Sequence, residues 1–232
     1  MKIERATHKA VRHACLHFHY AKRLPAQPMI GYNVFEGGQW CGVVVFNSGI
    51  GNIESPYNLK KGQIAELCRV ALNGKQSATS KAVSRAVKIF KKSNPLVKML
   101  VSYADSDEGH NGTIYQAMNW HFTGSNKTGD KFIDPKTGKD IHSRAHSPTG
   151  KVKQFGVMKR VLKTQDLIRI KKGDKHKYIY PLHKSMIPLC KSLAQPYPKK
   201  QAQEVNEDKR PASSRETGGS SPTLALKNLE TN

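Results

Sequence analysis

Residues 101–120 read VSYADSDEGHNGTIYQAMNW, so Asp105, His110, Tyr115, Gln116, Asn119 and Trp120 follow directly on an apolar run. An aspartate can accept a proton or orient an amine, and a tyrosine can donate a proton to a leaving group. The same residues have a plainer use, with Asp105 as a helix cap and the rings half-buried. Upstream, Glu66 and Arg69 stand three apart in ELCRVAL. On a regular strand they face opposite sides, so at least one points into a site or an ion-pair network. Past Leu72, Asn73, Gly74, Ser77, Thr79 and Ser80 precede or open a helical pattern, with Lys75 and Lys81 adding charge. Free backbone N–H groups at such a helix start suit a phosphate, and Ser77, Thr79 or Ser80 equally suits an ordinary N-cap. No GxxxxGK[ST] is present, which excludes a nucleotide-triphosphate P-loop. His19-Tyr20 closes the histidine-dense HKAVRHACLHFHY. It reads either as a substrate-facing pair or as the apolar face of a first helix. His13 and His17 share a helical face, but no nearby acid completes a metal site.

These side chains need elements to hold them. Gly31–Phe35 and Trp40–Phe46, separated by glycine-rich turn residues, predict a β-hairpin. Glu66–Leu72 is a third short strand. Val83, Ala86, Val87 and Phe90 recur at helical spacing while Lys81, Arg85 and Lys88 fall elsewhere, until Asn94-Pro95 stops the helix. Val97–Ala104 is the next strand, with a short helix at Thr113–Asn119 and a last apolar run at Trp120–Thr123. Asp105 then falls at the C-terminal end of a strand, where open α/β sheets place ligand chemistry. Residues 125–150 form a glycine-rich basic connection, expected to be a functional or mobile loop. KHKYIYPL closes the pattern as a strand. The fold class is α/β.

Lys and Arg number 39 against 17 Asp and Glu in 232 residues, for a formal net charge of +22. Such a field attracts a polyanion, nucleic acid before a membrane surface. Residues 125–184 carry sixteen Lys or Arg against five Asp. The tail from 199 to 232 is nearly neutral, poor in aromatics and rich in Ser, Glu, Gly and Pro, so it is expected to be disordered. One domain is expected over residues 1–198. No run of 18 apolar residues can span a bilayer, and the N-terminus lacks the apolar core of a signal peptide. Cys15, Cys41, Cys68 and Cys190 are scattered with no CxxC pair, which favours reduced thiols and a cytoplasmic setting.

Read together, the HY pair at 19, GVVVF, ELCRVAL, SKAVSRAVK, LVSYAD and HNGTIYQAMNW resemble the Mom family of phage DNA-modification proteins, over residues 15–190. The resemblance implies a GNAT (N-acetyltransferase) fold: a mixed, mostly antiparallel central sheet flanked by helices, here with a basic C-terminal extension. It implies conversion of adenine to N6-carbamoylmethyladenine in double-stranded DNA, which protects phage DNA from host restriction, and hence a bacterial host cytoplasm. Carried over by position, it assigns catalysis to Arg69, Ser80, Asp105 and Tyr115. His19, Tyr20, Glu66, Tyr103, Gln116 and Trp120 become substrate-binding candidates, with Tyr103, Tyr115 and Trp120 able to stack on a flipped base. Gly74, Ser77 and Thr79 become cofactor-binding candidates. The family's fold implies an acyl-CoA-type small-molecule donor, yet KQSATS stands where the glycines of its pyrophosphate turn belong. Iron is also implied, without a ligand pattern here to hold it. No membrane partner is expected, and the oligomeric state stays open, a homodimer included. Two rivals remain: a GNAT-type protein N-acyltransferase, and a basic DNA-binding protein without chemistry.

Overall fold

The alternation in GVVVF decides how the molecule is layered. β1 (Lys2–Arg5) leads into α1 (His8–His17), whose first turn is capped by the Thr7 hydroxyl accepting from the Ala10 amide at 3.2 Å. β2 (Met29–Glu36) and β3 (Gln39–Asn47) form the predicted hairpin around Gly37 and Gly38, both at positive φ. Along β3, Val43 and Val45 meet Val11, Ala14 and Cys15 of α1 on one face. Val44 and Phe46 point the other way, into the larger core. Burying each such side chain contributes about 1.5–3 kcal/mol.

β4 (Ile64–Leu72) continues the antiparallel sheet, and α2 (Thr79–Ser93) crosses over to β5 (Met99–Asp105). A helical crossover returns the chain in the same direction, so β4 and β5 are parallel. α2 buries Ala82, Val83, Ala86, Val87 and Phe90, and Phe90 stacks on Phe46 with centroids 4.2 Å apart. The cap differs from expectation. Ala78 is the N-cap and its methyl group can accept no bond, while Ser77 is turned toward Glu36.

The structure, a computed structural model, describes residues 1–198; the tail expected from 199 onward lies outside the described residues. After β5 come α3 (Thr113–Gln116), shorter than predicted and followed by Asn119 at φ +57°, and β6 (His121–Lys127). The basic segment beyond folds into small sheets. β7 (Lys131–Ile133) pairs with β8 (Asp140–Ile141), then β9 (His146–Ser147), β10 (Lys151–Gln154), β11 (Val157–Arg160), β12 (Leu162–Lys163) and β13 (Ile168–Ile170) follow. The stretch 125–150 is therefore a connection built with strand pairing of its own. β14 (Asp174–Pro181) then inserts antiparallel between β5 and β6, and α4 (Ile187–Ser192) packs Cys190 near Met99 and Ile179.

The main sheet has the order β1-β2-β3-β4-β5-β14-β6. Only β4–β5 is parallel, so the sheet is mixed and mostly antiparallel, flanked by helices, with the basic segment inserted before the last strand. The fold is α/β, as expected. The four cysteines are buried and free.

Candidate functional site

β4 and β5 pair over three residues only, Ile64 to Glu66 against Met99 to Val101, and then diverge. Beyond that point β5 stays bonded to β14 and β4 to β3, which leaves a gap between two strands of one sheet. Ser102 bridges the start of the gap, its Oγ 2.7 Å from both the Leu67 carbonyl oxygen and Tyr115 Oη. A cavity of about 480 Å³ opens beyond it.

A bulge decides what faces that cavity. Val45 pairs with Arg69 and Phe46 with Leu67, so Cys68 is an extra residue in β4. A bulge breaks the two-residue alternation. Glu66 and Arg69, expected on opposite faces, therefore both line the cavity. Leu67, Val70 and Leu72 contact the α2-side core, whereas Cys68 and Ala71 contact the α1 side. The gap thus takes lining from both faces of the sheet.

Asp105 ends β5, ion-pairs with Lys175 of β14 at 3.6 Å, and accepts from the Asp107 amide at 3.3 Å. Tyr115 is brought over β5 by the turn at Gly112. This turn has φ +79° and lies so close to the Tyr178 ring that a Cβ would sit 2.3 Å from it, so only glycine fits. Burial pushes the Tyr115 phenol up to about 12, which keeps it protonated at neutral pH. If Ser102, with one proton, donates to the Leu67 carbonyl, Tyr115 is left to donate to Ser102.

His19 and Tyr20 lie just past α1 rather than on its face, and both line the cavity. His19 is buried and accepts from the Ala21 amide at Nδ1 over 3.1 Å. Burial, reinforced by the charge of Arg69, pushes its imidazole down to about 4. The ring is therefore neutral with its proton on Nε2, a hydrogen-bond donor and not a base. Tyr20 is exposed, lies tilted against His19 with centroids 4.3 Å apart and meets His110 edge-on at 5.4 Å. Burial raises Glu66, opposed by Arg69 and Lys175, and also raises Tyr103, to which Glu66 adds. Burial also raises the Cys68 thiol well above its ordinary value, so Cys68 is no ready nucleophile.

Two buried atoms in the cavity wall have no partner. Arg69 donates to the Cys68 carbonyl through one terminal nitrogen at 2.6 Å, but its Nε is unsatisfied, as is Gln76 Oε1. Unpaired buried polar atoms are costly, and both would be satisfied by a polar ligand.

Of the residues singled out in the sequence, Asp105, Tyr115, Arg69, His19, Tyr20, Glu66, Tyr103, Gly74 and Thr79 meet at this cavity. Four are placed elsewhere. Ser80 and Trp120 border a separate depression beside α2, and Trp120 is 1% exposed, stacked on Tyr180, with no face free for a base. Ser77 gives its amide and hydroxyl to Glu36, at 2.6 and 2.9 Å. Gln116 is spent on the Asn111 carbonyl and the Tyr178 hydroxyl. Sequence reading missed Gln76, His110 and Lys175 as lining residues. His110 was within the polar run, whereas Lys175 carried no signal because its register with Asp105 comes from strand insertion. Among the described residues no group of three or more His, Cys, Asp or Glu stands in metal-holding geometry, so the side chains here do not fit the implied iron.

The Mom protein family model matches residues 1–199. Over 192 residues the chain is 29% identical to the methylcarbamoylase Mom of Escherichia phage Mu, covering 78% of this chain and 76% of that protein. It is similar at 9% identity to a probable acetyltransferase from Staphylococcus epidermidis (TM-score 0.46, covering 78% of this chain and 98% of that one). It is similar at 12% identity to a Bacillus subtilis acetyltransferase in complex with CoA (TM-score 0.42, covering 78% and 97%). Overlays this loose transfer no ligand to this chain.

Proposed function

The chain belongs to the Mom protein family, and from that premise we propose that it is a phage transferase that attaches a carbamoylmethyl group to the N6 amine of adenine in double-stranded DNA, in the host cytoplasm. The bulge at Cys68 carries this reading, because it brings Glu66 and Arg69 onto the same cavity as Asp105 and Tyr115.

The N6 amine is weakly nucleophilic, since its lone pair is delocalised into the purine, and it must lose a proton as the new bond forms. Asp105, held by Lys175 and an amide, is placed to accept that proton. Arg69 offers its unpaired N–H to a developing negative charge on the donor. Tyr115, protonated and lining the cavity, supplies a proton to the leaving group. The exposed ring of Tyr20, backed by His19 and His110, offers the stacking surface that Trp120 cannot.

An acyl-CoA-type donor fits one wall. The start of α2 has no side-chain cap, and Gly74 (φ +83°), Gln76 and Thr79 border the cavity there. These residues would hold its phosphates. A thioester carbonyl would give an N6-acyl product, so the donor would have to present the methylene carbon of the carbamoylmethyl group, the N6–CH2 bond forming as the bond from that carbon to the donor's leaving group breaks. The carboxylate of Glu36 on Ser77 stands where a further phosphate contact was expected.

Expression of the chain in bacteria, followed by mass spectrometry of plasmid nucleosides, tests the proposal. A deoxyadenosine heavier by one carbamoylmethyl group in place of a hydrogen is expected, and its loss in Asp105→Ala. Another mass shift on adenine would keep the DNA reading and change the donor. Unmodified DNA from folded protein would end it.

A further inference from the structure

Residues 151–160, KVKQFGVMKR, take no part in the cavity. β10 and β11 form an isolated two-stranded ribbon in which Gln154 pairs with Val157 across the turn Phe155-Gly156. Both turn residues have positive φ, +51° and +81°. This is a type I′ turn, for which Asn-Gly is the preferred pair. A bulky residue in the left-handed region is a poor choice for the backbone. Phe155 is also 97% exposed, so no burial compensates for it. Neither local preference nor core packing accounts for a phenylalanine there, which leaves a partner.

The ribbon's charge says which kind. Register sets Lys151 opposite Arg160 and Lys153 opposite Met158, with Lys159 opposite Val152. Like charges directly opposite each other are destabilising. Among the described residues none of these four cations joins an ion pair. From 141 to 165 the chain has six Lys or Arg and no acid. A cationic ribbon with one apolar ring at its tip complements a polymer with phosphates outside and stacked bases within.

The ribbon is rooted at the cavity end of the sheet. Its segment leaves β6 at Lys127 and rejoins at Asp174, which pair with each other, and the next residue, Lys175, pairs with Asp105. Ser106 Oγ donates to the Asp174 carbonyl at 2.6 Å, and the Gly173 amide donates to Asp107 at 2.7 Å. We infer that the β10–β11 ribbon grips duplex DNA, with Lys151, Lys153, Lys159 and Arg160 on phosphates, and inserts Phe155 between base steps to unstack the nucleotide that the cavity receives. This rests on the DNA-modification reading.

Phe155→Asn gives the turn its preferred residue and removes only the wedge; Phe155→Leu keeps an apolar tip. The full chain is mixed with duplexes carrying 2-aminopurine in place of adenine, and affinity, fluorescence and end-to-end energy transfer are recorded. For wild type and Phe155→Leu, binding with a fluorescence rise and a bend is expected. Phe155→Asn is expected to bind within a few-fold but to lose both signals, and plasmid adenine modification is expected to fall about tenfold or more. Equal fluorescence, bend and modification in Phe155→Asn would overturn the ribbon role while leaving the modification reading intact. Failure of the wild type to bind duplexes and modify plasmid would end both. Phe155-dependent binding to anionic vesicles with no effect of Phe155 on DNA would assign the ribbon to membranes instead.

Discussion

His19 shows how neighbours set the function of a single side chain. A histidine lining a cavity could serve as a base, yet its Nδ1 is occupied by the Ala21 amide and its imidazole is pushed down to about 4. In the unfolded chain it titrates near the ordinary 6.5, so the unfolded state binds its proton first. Above that value both states are neutral and His19 has no effect on stability. As pH falls from about 6.5 to about 4, folding stability is expected to drop by up to roughly 3 kcal/mol. Urea melts across this window should show the drop, and His19→Asn should flatten it by a comparable amount. An unchanged profile would mean that the imidazole is solvated. Arg69 and Glu66 follow the same logic: burial makes each more demanding of a partner than it would be on a surface, and the cavity is where that partner would sit.

At the scale of elements, the divergence of β4 from β5 makes the site, and Ser102 holds its root. Its hydroxyl serves a buried carbonyl of one strand and the phenol of α3 at once. Ser102→Ala should therefore leave the Leu67 carbonyl and Tyr115 short of a partner, at a cost of about 1–3 kcal/mol. Denaturant unfolding would read the loss. Plasmid modification should fall further than stability alone accounts for, because Tyr115 would lose its position as well. A variant as stable as wild type would show that water replaces the hydroxyl at no cost.

At the scale of the whole molecule, charge is distributed unevenly, and residues 125–184 hold much of the excess. If that region contacts phosphates, the logarithm of the affinity for duplex DNA falls linearly with log salt, and each contact removed lowers the slope by about 0.9. Replacing Lys131, Lys171 and Lys172 by Gln, all outside the ribbon, should reduce the slope by up to about 2.7 with little change in sequence preference. An unaltered slope would make these residues a solvated surface. Lys131 already pairs with Asp140 at 2.9 Å, so its share should be the smallest.

The local code was legible without any structure. The hairpin, the α2 face and the strand ending at Asp105 follow from periodicities of two and 3.6, which depend only on neighbouring residues. Asp105, Tyr115 and Arg69 were candidates because their types are unusual beside core strands, and the motifs from HY to HNGTIYQAMNW marked the family. The tertiary structure decided the rest. A bulge at Cys68 placed Glu66 beside Arg69, and the insertion of β14 brought Lys175 to Asp105. It also buried Trp120 and turned Ser77 toward Glu36. Each of these depends on contacts between residues far apart in the chain. Periodicity can say that a side chain leaves its strand on a given face, but only packing determines what it meets there.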